Sequence, residues 1–262
     1  MRVEDIRDIL VKNRGVWLLG THQGNDGNQG NTLETLLGVK ENNLKIPDLG
    51  EIELKSQKAE TKSLLTLFHR DPNPSASVPK LLKCLGWKHK QAGEKYPSTE
   101  MSFRSTTYAH RTSDRGFSID FTNEQIVFSF NPDKVNKSAR DQSGSFNTYG
   151  EWLNDVEKRV PHYSKVLPVF WNLEDLEDVF INKLDHTLMC FVETKRDKGI
   201  DFFAIKEAYI YKTFLRDKLK DLFHRGSLVI DFDARTGHNH GTKLRIKRED
   251  LGVLFDYSSR LV

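Results

Sequence analysis

Glu51-Ile52-Glu53-Leu54-Lys55 alternates polar and apolar residues without a break. A strand with one buried face accommodates that pattern, because successive side chains of a strand point to opposite sides. Glu51, Glu53 and Lys55 then share one face, with Ile52 and Leu54 on the other. A carboxylate and an ammonium two residues apart on such a face can share one metal ion and one water. Asp48 has the wrong parity to join them on a straight strand, but the Pro47-Asp48-Leu49-Gly50 turn can bend it towards them. Upstream, Leu33, Glu34, Leu36 and Leu37 form a short helix that Asn31 caps and Gly38 ends. Glu34 therefore has two readings, a capping-box partner for Asn31 or a further carboxylate of the cluster.

Charged residues make up 29% of the chain, so the Glu-x-Lys spacing recurs, at Glu60/Lys62 and Glu193/Lys195. The last copy is the serious rival, since the apolar run Leu188–Val192 leads into it and Asp185 lies upstream. An exposed ion pair is the ordinary meaning of such a copy, and only its surroundings can single one out.

A second strand pattern lies at Leu228–Arg235. Leu228, Ile230 and Phe232 share one face, and Val229, Asp231, Asp233 and Arg235 share the other. A strand end that presents Asp, Asp and Arg, followed by the His238-Asn239-His240-Gly241 loop, suits the reading of base edges. The two histidines make a poor zinc site, because no further Cys or His stands at a helpful spacing.

The rest of the chain reads as mixed α/β. Helices are expected at 3–13, 79–85, 149–160, 173–184 and 214–223, and strands at 16–19, 64–68, 102–110, 166–171, 187–194 and 203–211. Phe117–Phe121 and Ile126–Phe130 form a hairpin across the Thr122–Gln125 turn. Residues 132–148 are polar and serve as a linker or mobile loop, and Gly24–Gly30 as a flexible loop with glycines that could let amides approach a phosphate. The end of that stretch, at 148, sets an approximate division of the chain into 1–148 and 149–262.

Composition excludes several classes. The 262 residues carry 37% hydrophobic and 10% aromatic side chains, enough for a real core. A formal charge of +3 neither announces nor excludes a nucleic-acid partner. Cys84 and Cys190 are too few for a disulfide framework, and no apolar run reaches membrane-spanning length. A charged start without a signal peptide leaves the cytoplasm as the expected compartment.

Two separated blocks carry a family resemblance. The first is Asn31-Thr32-Leu33-Glu34, Leu37-Gly38, Glu41-Asn42-Asn43, Pro47-Asp48-Leu49-Gly50 and Glu53-Leu54-Lys55-Ser56. The second is Asp233-Ala234-Arg235-Thr236-Gly237, His238-Asn239-His240-Gly241-Thr242 and Arg245. Together they resemble the MvaI/BcnI type of restriction endonuclease, with the mismatch-repair nickase MutH as a more distant relative, while 85–225 match only loosely. The resemblance implies a restriction-endonuclease-like α/β core sheet flanked by helices, with two lobes forming a DNA cleft, a catalytic lobe over 1–148 and a DNA-recognition lobe over 149–262. It implies Mg²⁺-dependent cutting of double-stranded DNA by a monomer, one strand after the other, at a short site of the CCNGG kind, leaving 5′-phosphate ends. By the same resemblance Asp48 and Glu53 hold Mg²⁺, Lys55 activates the water and Glu34 joins the carboxylates. Arg235 and Arg245 pair with guanine, Asp233 accepts from cytosine, and His238, His240 and His69 line the reading surface. The host would carry a cognate methyltransferase. The alternatives are a strand-specific nickase of the MutH kind and an inactive sequence-specific DNA-binding protein.

Overall fold

The structure is a computed structural model that describes residues 2–25, 27–39, 49, 51–160 and 168–262. Contacts divide the chain into two compact units that interleave along the sequence. The first comprises residues 1–65, 177–218 and 247–262, and the second 66–176 and 219–246. The sequence pattern suggested a single division near 148. The reason for the difference is strand pairing, since the later strands are shared out among three sheets whose other members lie earlier in the chain.

The first unit is built on a mixed sheet. Its order is β1 (Leu18–Leu19), β10 (Ile200–Phe214), β9 (His186–Asp197) and β2 (Glu53–Lys58), with β14 (Phe255–Arg260) also pairing β10. β9 and β10 form a long antiparallel hairpin with a bulge between Ile205 and Glu207, and β2 runs parallel to β9. The register sets Leu54 against Leu188 and Ser56 against Cys190. On that face α1 (Val3–Lys12) and α2 (Asn28–Leu36) close the core with Ile6, Leu10 and Leu33, each fully buried. The apolar stripe of α1 makes this possible, because i, i+3 and i+4 residues lie on one side of a helix. The alternating strand at Glu51–Lys55 thus forms as the pattern predicts, two residues later than its first polar residue.

The second unit holds two sheets. One has the order β3 (Leu65–His69), β13 (Lys243–Ile246), β11 (Leu228–Arg235), β5 (Met101–Thr107) and β4 (Trp87–Lys88), with β12 (His238–Asn239) added to β11. The other is β6 (Phe117–Phe121), β7 (Gln125–Phe130) and β8 (Val169–Asn172). The expected hairpin forms in the expected register, Phe117 opposite Phe130 and Phe121 opposite Ile126. Phe103, Phe117, Phe128 and Phe232 meet in tilted and edge-on pairs at 5.3–6.3 Å. This is the geometry in which aromatic rings attract beyond simple burial. α3 (Ser77–Leu85) and α4 (Tyr149–Arg159) also belong to this unit, while α5 (Leu173–Leu184) and α6 (Lys218–His224) cross the unit boundaries.

Residues 132–148 are not a bare linker. Asp141 is 2% exposed and accepts from the Ser143 amide at 2.9 Å, the Ser143 hydroxyl at 2.6 Å, the Phe146 amide at 3.2 Å and the Arg115 guanidinium. A polar composition conceals one buried carboxylate that organises the segment. Among the described residues no helix is long and apolar enough to cross a membrane.

Candidate functional site

In the first unit the structure brings Glu53 and Lys55 together. Both project from the face of β2 opposite Leu54, and the Lys55 Nζ donates to Glu53 Oε1. Their side chains are 10% and 18% exposed, so the pair is largely shielded. A charge-assisted hydrogen bond of this kind holds the lysine in a fixed direction. Carboxylate oxygens are hard donors of the kind that Mg²⁺ prefers, and Glu53 supplies them here. Asp48 lies outside the described residues. Among those described, no three His, Cys, Asp or Glu side chains form a metal-binding group.

Glu34 loses its capping reading. α2 begins at Asn28, after Gly27, so Asn31 is an interior helix residue and Glu34 is beyond the first turn. The earlier start follows from local hydrogen bonds. The Asn25 side chain accepts from the Gly27 amide at 3.0 Å, and the Asn28 amide donates to the Asn25 carbonyl at 3.1 Å. This turn also orders part of the segment expected to be a flexible loop. Gly30 faces the Ser56 hydroxyl and the Glu34 carboxylate, at 3.6 and 4.0 Å from where a Cβ would stand. Glu34 is thereby placed on the β2 side of its helix, by Ser56.

The rival copies separate by exposure. Glu193 is exposed and faces Lys206 at 3.6 Å, and Lys206 also bonds Glu60 at 2.8 Å. That hydrogen bond, with the lysine's charge, holds the Glu60 carboxyl below its ordinary pKa. Asp185 stands just before β9, accepting from the Phe214 amide at 2.9 Å, while Glu193 is well along that strand. Both Glu193 and Glu60 are thus the exposed ion pairs that a charge-rich sequence produces by chance.

The second unit gathers the other candidates on one face of its larger sheet. In register, Asp231 opposes Lys243 and Thr106, Asp233 opposes Arg104, and Arg235 opposes Ser102, with Arg245 opposite Val229. Charges interlock across the strands. Asp233 meets Arg104 at 2.9 Å and Lys243 at 2.7 Å, Asp231 meets Arg245 at 3.0 Å, and Arg235 meets the buried Glu100 at 3.0 Å. Arg235 also lies over the Tyr96 ring, 4.7 Å from its centre. Burial pushes the Asp233 carboxyl upwards, but the Lys243 hydrogen bond and the charges of Lys243, Arg104 and His240 outweigh it and hold it below its ordinary pKa. The face is therefore a preorganised array of donors and acceptors, each fixed by a neighbour.

His238 and His240 stand edge to face, 4.2 Å apart, on the exposed loop beyond β11. Burial lowers the pKa of His240, as do His238, Arg104 and Lys243, against the opposing pull of Asp233. His69 belongs to the same place. Its ring packs on Gly241, whose φ of +84° no side-chain-bearing residue would readily adopt.

Sequence reasoning missed Arg104, Lys243, Glu100 and Asp71. Lys243 and Arg104 were accessible from alternation, since Lys243 shares a face with Arg245 and Arg104 lies in the alternating Met101–Thr107 strand. Asp71 carried no signal. It accepts from Asn239 Nδ2 at 2.7 Å, the Thr242 amide at 2.8 Å and the Thr242 hydroxyl at 2.9 Å, tying down both sides of the histidine loop. Asp71→Ala is expected to leave the rest of the fold intact and to free the histidine loop, seen as about tenfold faster amide hydrogen exchange over residues 239–242, the equivalent of ~1.4 kcal/mol. Unchanged exchange there would mean that other contacts hold the loop.

The profile described as the MvaI/BcnI restriction endonuclease family matches residues 6–255. Among solved structures, the chain is similar to restriction endonuclease MvaI in complex with its cognate DNA substrate. That match has a TM-score of 0.72 and 19% identity, covering 99% of this chain and 97% of the other. It is also similar to MvaI in the absence of DNA, with a TM-score of 0.51 and 20% identity over 99% and 95% of the two chains. No curated protein sequence matches.

Proposed function

Given that the chain belongs to the MvaI/BcnI restriction endonuclease family, and so is a type II site-specific deoxyribonuclease acting on DNA, we propose that Glu53 and Lys55 are the centre of its active site. The observation that carries this is the shielded Glu53–Lys55 contact on one face of β2. Asp48 and Glu53 would hold Mg²⁺ through carboxylate oxygens, with Glu34 as an additional carboxylate on the facing helix. When bound, the ion stabilises charge on the phosphate and lowers the pKa of water. Lys55, as the ammonium that donates to Glu53, would orient the attacking water and offset the negative charge that builds on the phosphate. Glu53 fixes the lysine for that task. The products would carry 5′-phosphate ends.

Sequence reading belongs to the charged face of the β11 sheet. Arg235 and Arg245 are suited to bidentate contact with guanine O6 and N7, and Asp233 to accepting from cytosine N4. His238, His240 and His69 complete that surface. Its mixture of guanine-seeking arginines and a cytosine-seeking aspartate supports a short GC-rich site of the CCNGG kind. The enzyme would act as a monomer that cuts the two strands in turn, in a host that protects the same site with a methyltransferase.

Arg235→Ala should cost ~1–3 kcal/mol of discrimination at one base pair, read as relaxed cleavage there. Uniform weakening at all sequences would instead make Arg235 a phosphate contact. The reaction itself is tested by digesting unmethylated plasmid with Mg²⁺ and sequencing the ends. Discrete double-strand breaks at one short site support the proposal. Single-strand nicks alone would favour the nickase reading, and binding without cleavage the inactive one.

A further inference from the structure

Gln57 stands on the same face of β2 as Glu53 and Lys55, two residues beyond the lysine, because strand side chains alternate. It is 6% exposed, and its Nε2 donates to the Ser63 carbonyl at 2.6 Å. A carbonyl can only accept, so the amide nitrogen is the end that faces Ser63, and Oε1 is turned away from it. Among the described residues Oε1 has no hydrogen-bond partner, and it is shielded from solvent. Buried acceptors without donors are costly and uncommon.

The chain itself carries a donor for that oxygen. Arg248, a cation beside this strand, is already committed. It donates to the Ala59 carbonyl at 2.7 Å, lies 3.5 Å from the centre of the Phe191 ring and faces Glu207 at 3.9 Å. Lys55 has more to give, because an ammonium carries three N–H donors and one of them goes to Glu53. Glu53 and Gln57 flank Lys55 at equal spacing, about 7 Å along the strand, and the lysine already meets the first of them. In the function proposed above, Glu53 holds Mg²⁺ as well as Lys55, and the two demands conflict. With a divalent cation on its carboxylate, Glu53 is a weaker acceptor, and the ammonium beside it is repelled.

We infer that Gln57 is a second anchor for Lys55, its Oε1 accepting from the ammonium when Glu53 turns to the metal ion. The lysine then stays on the catalytic face through the reaction. Gln57 is a positioning residue, acting through Lys55. A neutral amide suits the task, since it accepts from the ammonium without adding a charge that would draw the metal ion away from Glu53. This inference rests on the assignment of Glu53 and Lys55 to the active site.

The test uses the full chain labelled with ¹⁵N at the lysine Nζ. An ammonium that is hydrogen-bonded and shielded exchanges slowly enough to give a signal, and the one missing from Lys55→Arg belongs to Lys55. Wild type, Gln57→Met and Gln57→Glu are compared without metal and with Ca²⁺ alone. Methionine removes both ends of the amide, whereas glutamate keeps the oxygen and loses only the donor to Ser63. Without metal the Lys55 signal should be present in all three, held by Glu53. In Ca²⁺ it should persist in wild type and Gln57→Glu and vanish in Gln57→Met. Cleavage by Gln57→Met in Mg²⁺ should fall in kcat by about tenfold or more, with duplex binding unchanged. Loss of the signal in Gln57→Met without metal, or no restoration by Gln57→Glu, would mean that Gln57 serves only to bond Ser63. A signal that survives Ca²⁺ in Gln57→Met, or is lost from wild type in Ca²⁺, would mean that Gln57 does not hold the lysine. Each of these results overturns the inference and leaves the active site where it was. Wild-type cleavage by Glu53→Ala or Lys55→Ala would instead sink the active-site assignment, and the inference with it.

Discussion

Glu53→Ala and Lys55→Ala should each abolish cleavage of plasmid DNA, whereas Glu193→Ala should cut at the wild-type rate. Loss of a positioned catalytic group typically costs about 10²–10⁴-fold, and removing Glu53 also releases Lys55 from the carboxylate it bonds. Lys55→Arg should not rescue, because a planar fork is no substitute for a compact ammonium held against one carboxylate oxygen. Duplex binding in Ca²⁺ should survive in all these variants, since the reading face is a separate set of residues. The comparison with Glu193 is the informative arm. That residue shares the spacing but is exposed and paired with Lys206, where an ion pair contributes little. Activity lost in Glu193→Ala and kept in Glu53→Ala would falsify the assignment of the active site to β2.

The largest stability effect is expected at Asp141. It is the counter-charge of Arg115, and their side chains are 0% and 8% exposed. Burial pulls Arg115 down to about 10, against the opposing attraction of Asp141 and Tyr149. A base whose pKa falls on folding is stabilised in its neutral form, so at neutral pH the charged guanidinium is tolerated at a cost even with its partner present. Asp141→Ala leaves that charge unpaired and strips the acceptor from Ser143 and Phe146. Destabilisation of about 3–5 kcal/mol should follow, seen as an earlier urea midpoint with an unchanged slope. Adding Arg115→Met should recover much of it, because replacing both partners removes the unpaired charge. A single variant as stable as wild type would mean that the loop is held by other contacts.

Period-two alternation made the two strands that carry the proposed sites legible. It is a local property, and Glu51–Lys55 and Leu228–Arg235 needed no partner to reveal which residues share a face. The hairpin at Phe117–Phe130 was legible for the same reason, with turn and register adjacent in sequence. What alternation cannot give is which strands lie side by side. Arg104 reaches Asp233 across 129 positions of sequence, counted from the two residue numbers, and nothing local announces that register. Asp71 escaped because a turn aspartate before proline looks self-sufficient, yet its acceptors serve a loop far along the chain. The start of α2 was misplaced for an opposite reason. Asn31 has the chemistry of a cap, but the Asn25 turn nucleates the helix earlier.

The interleaving of the two units limits how such an enzyme can be rebuilt. Unit 1 is assembled from three stretches of chain and unit 2 from two, so no single splice separates the residues proposed to cut from those proposed to read. Specificity therefore cannot be transplanted by exchanging one half of the gene for that of a relative. A chimera joined at any one point would inherit strands from both parents within one sheet, with registers that were never selected together. New target sites would have to be reached residue by residue on the β11 face, with each change answered by its ionic neighbour.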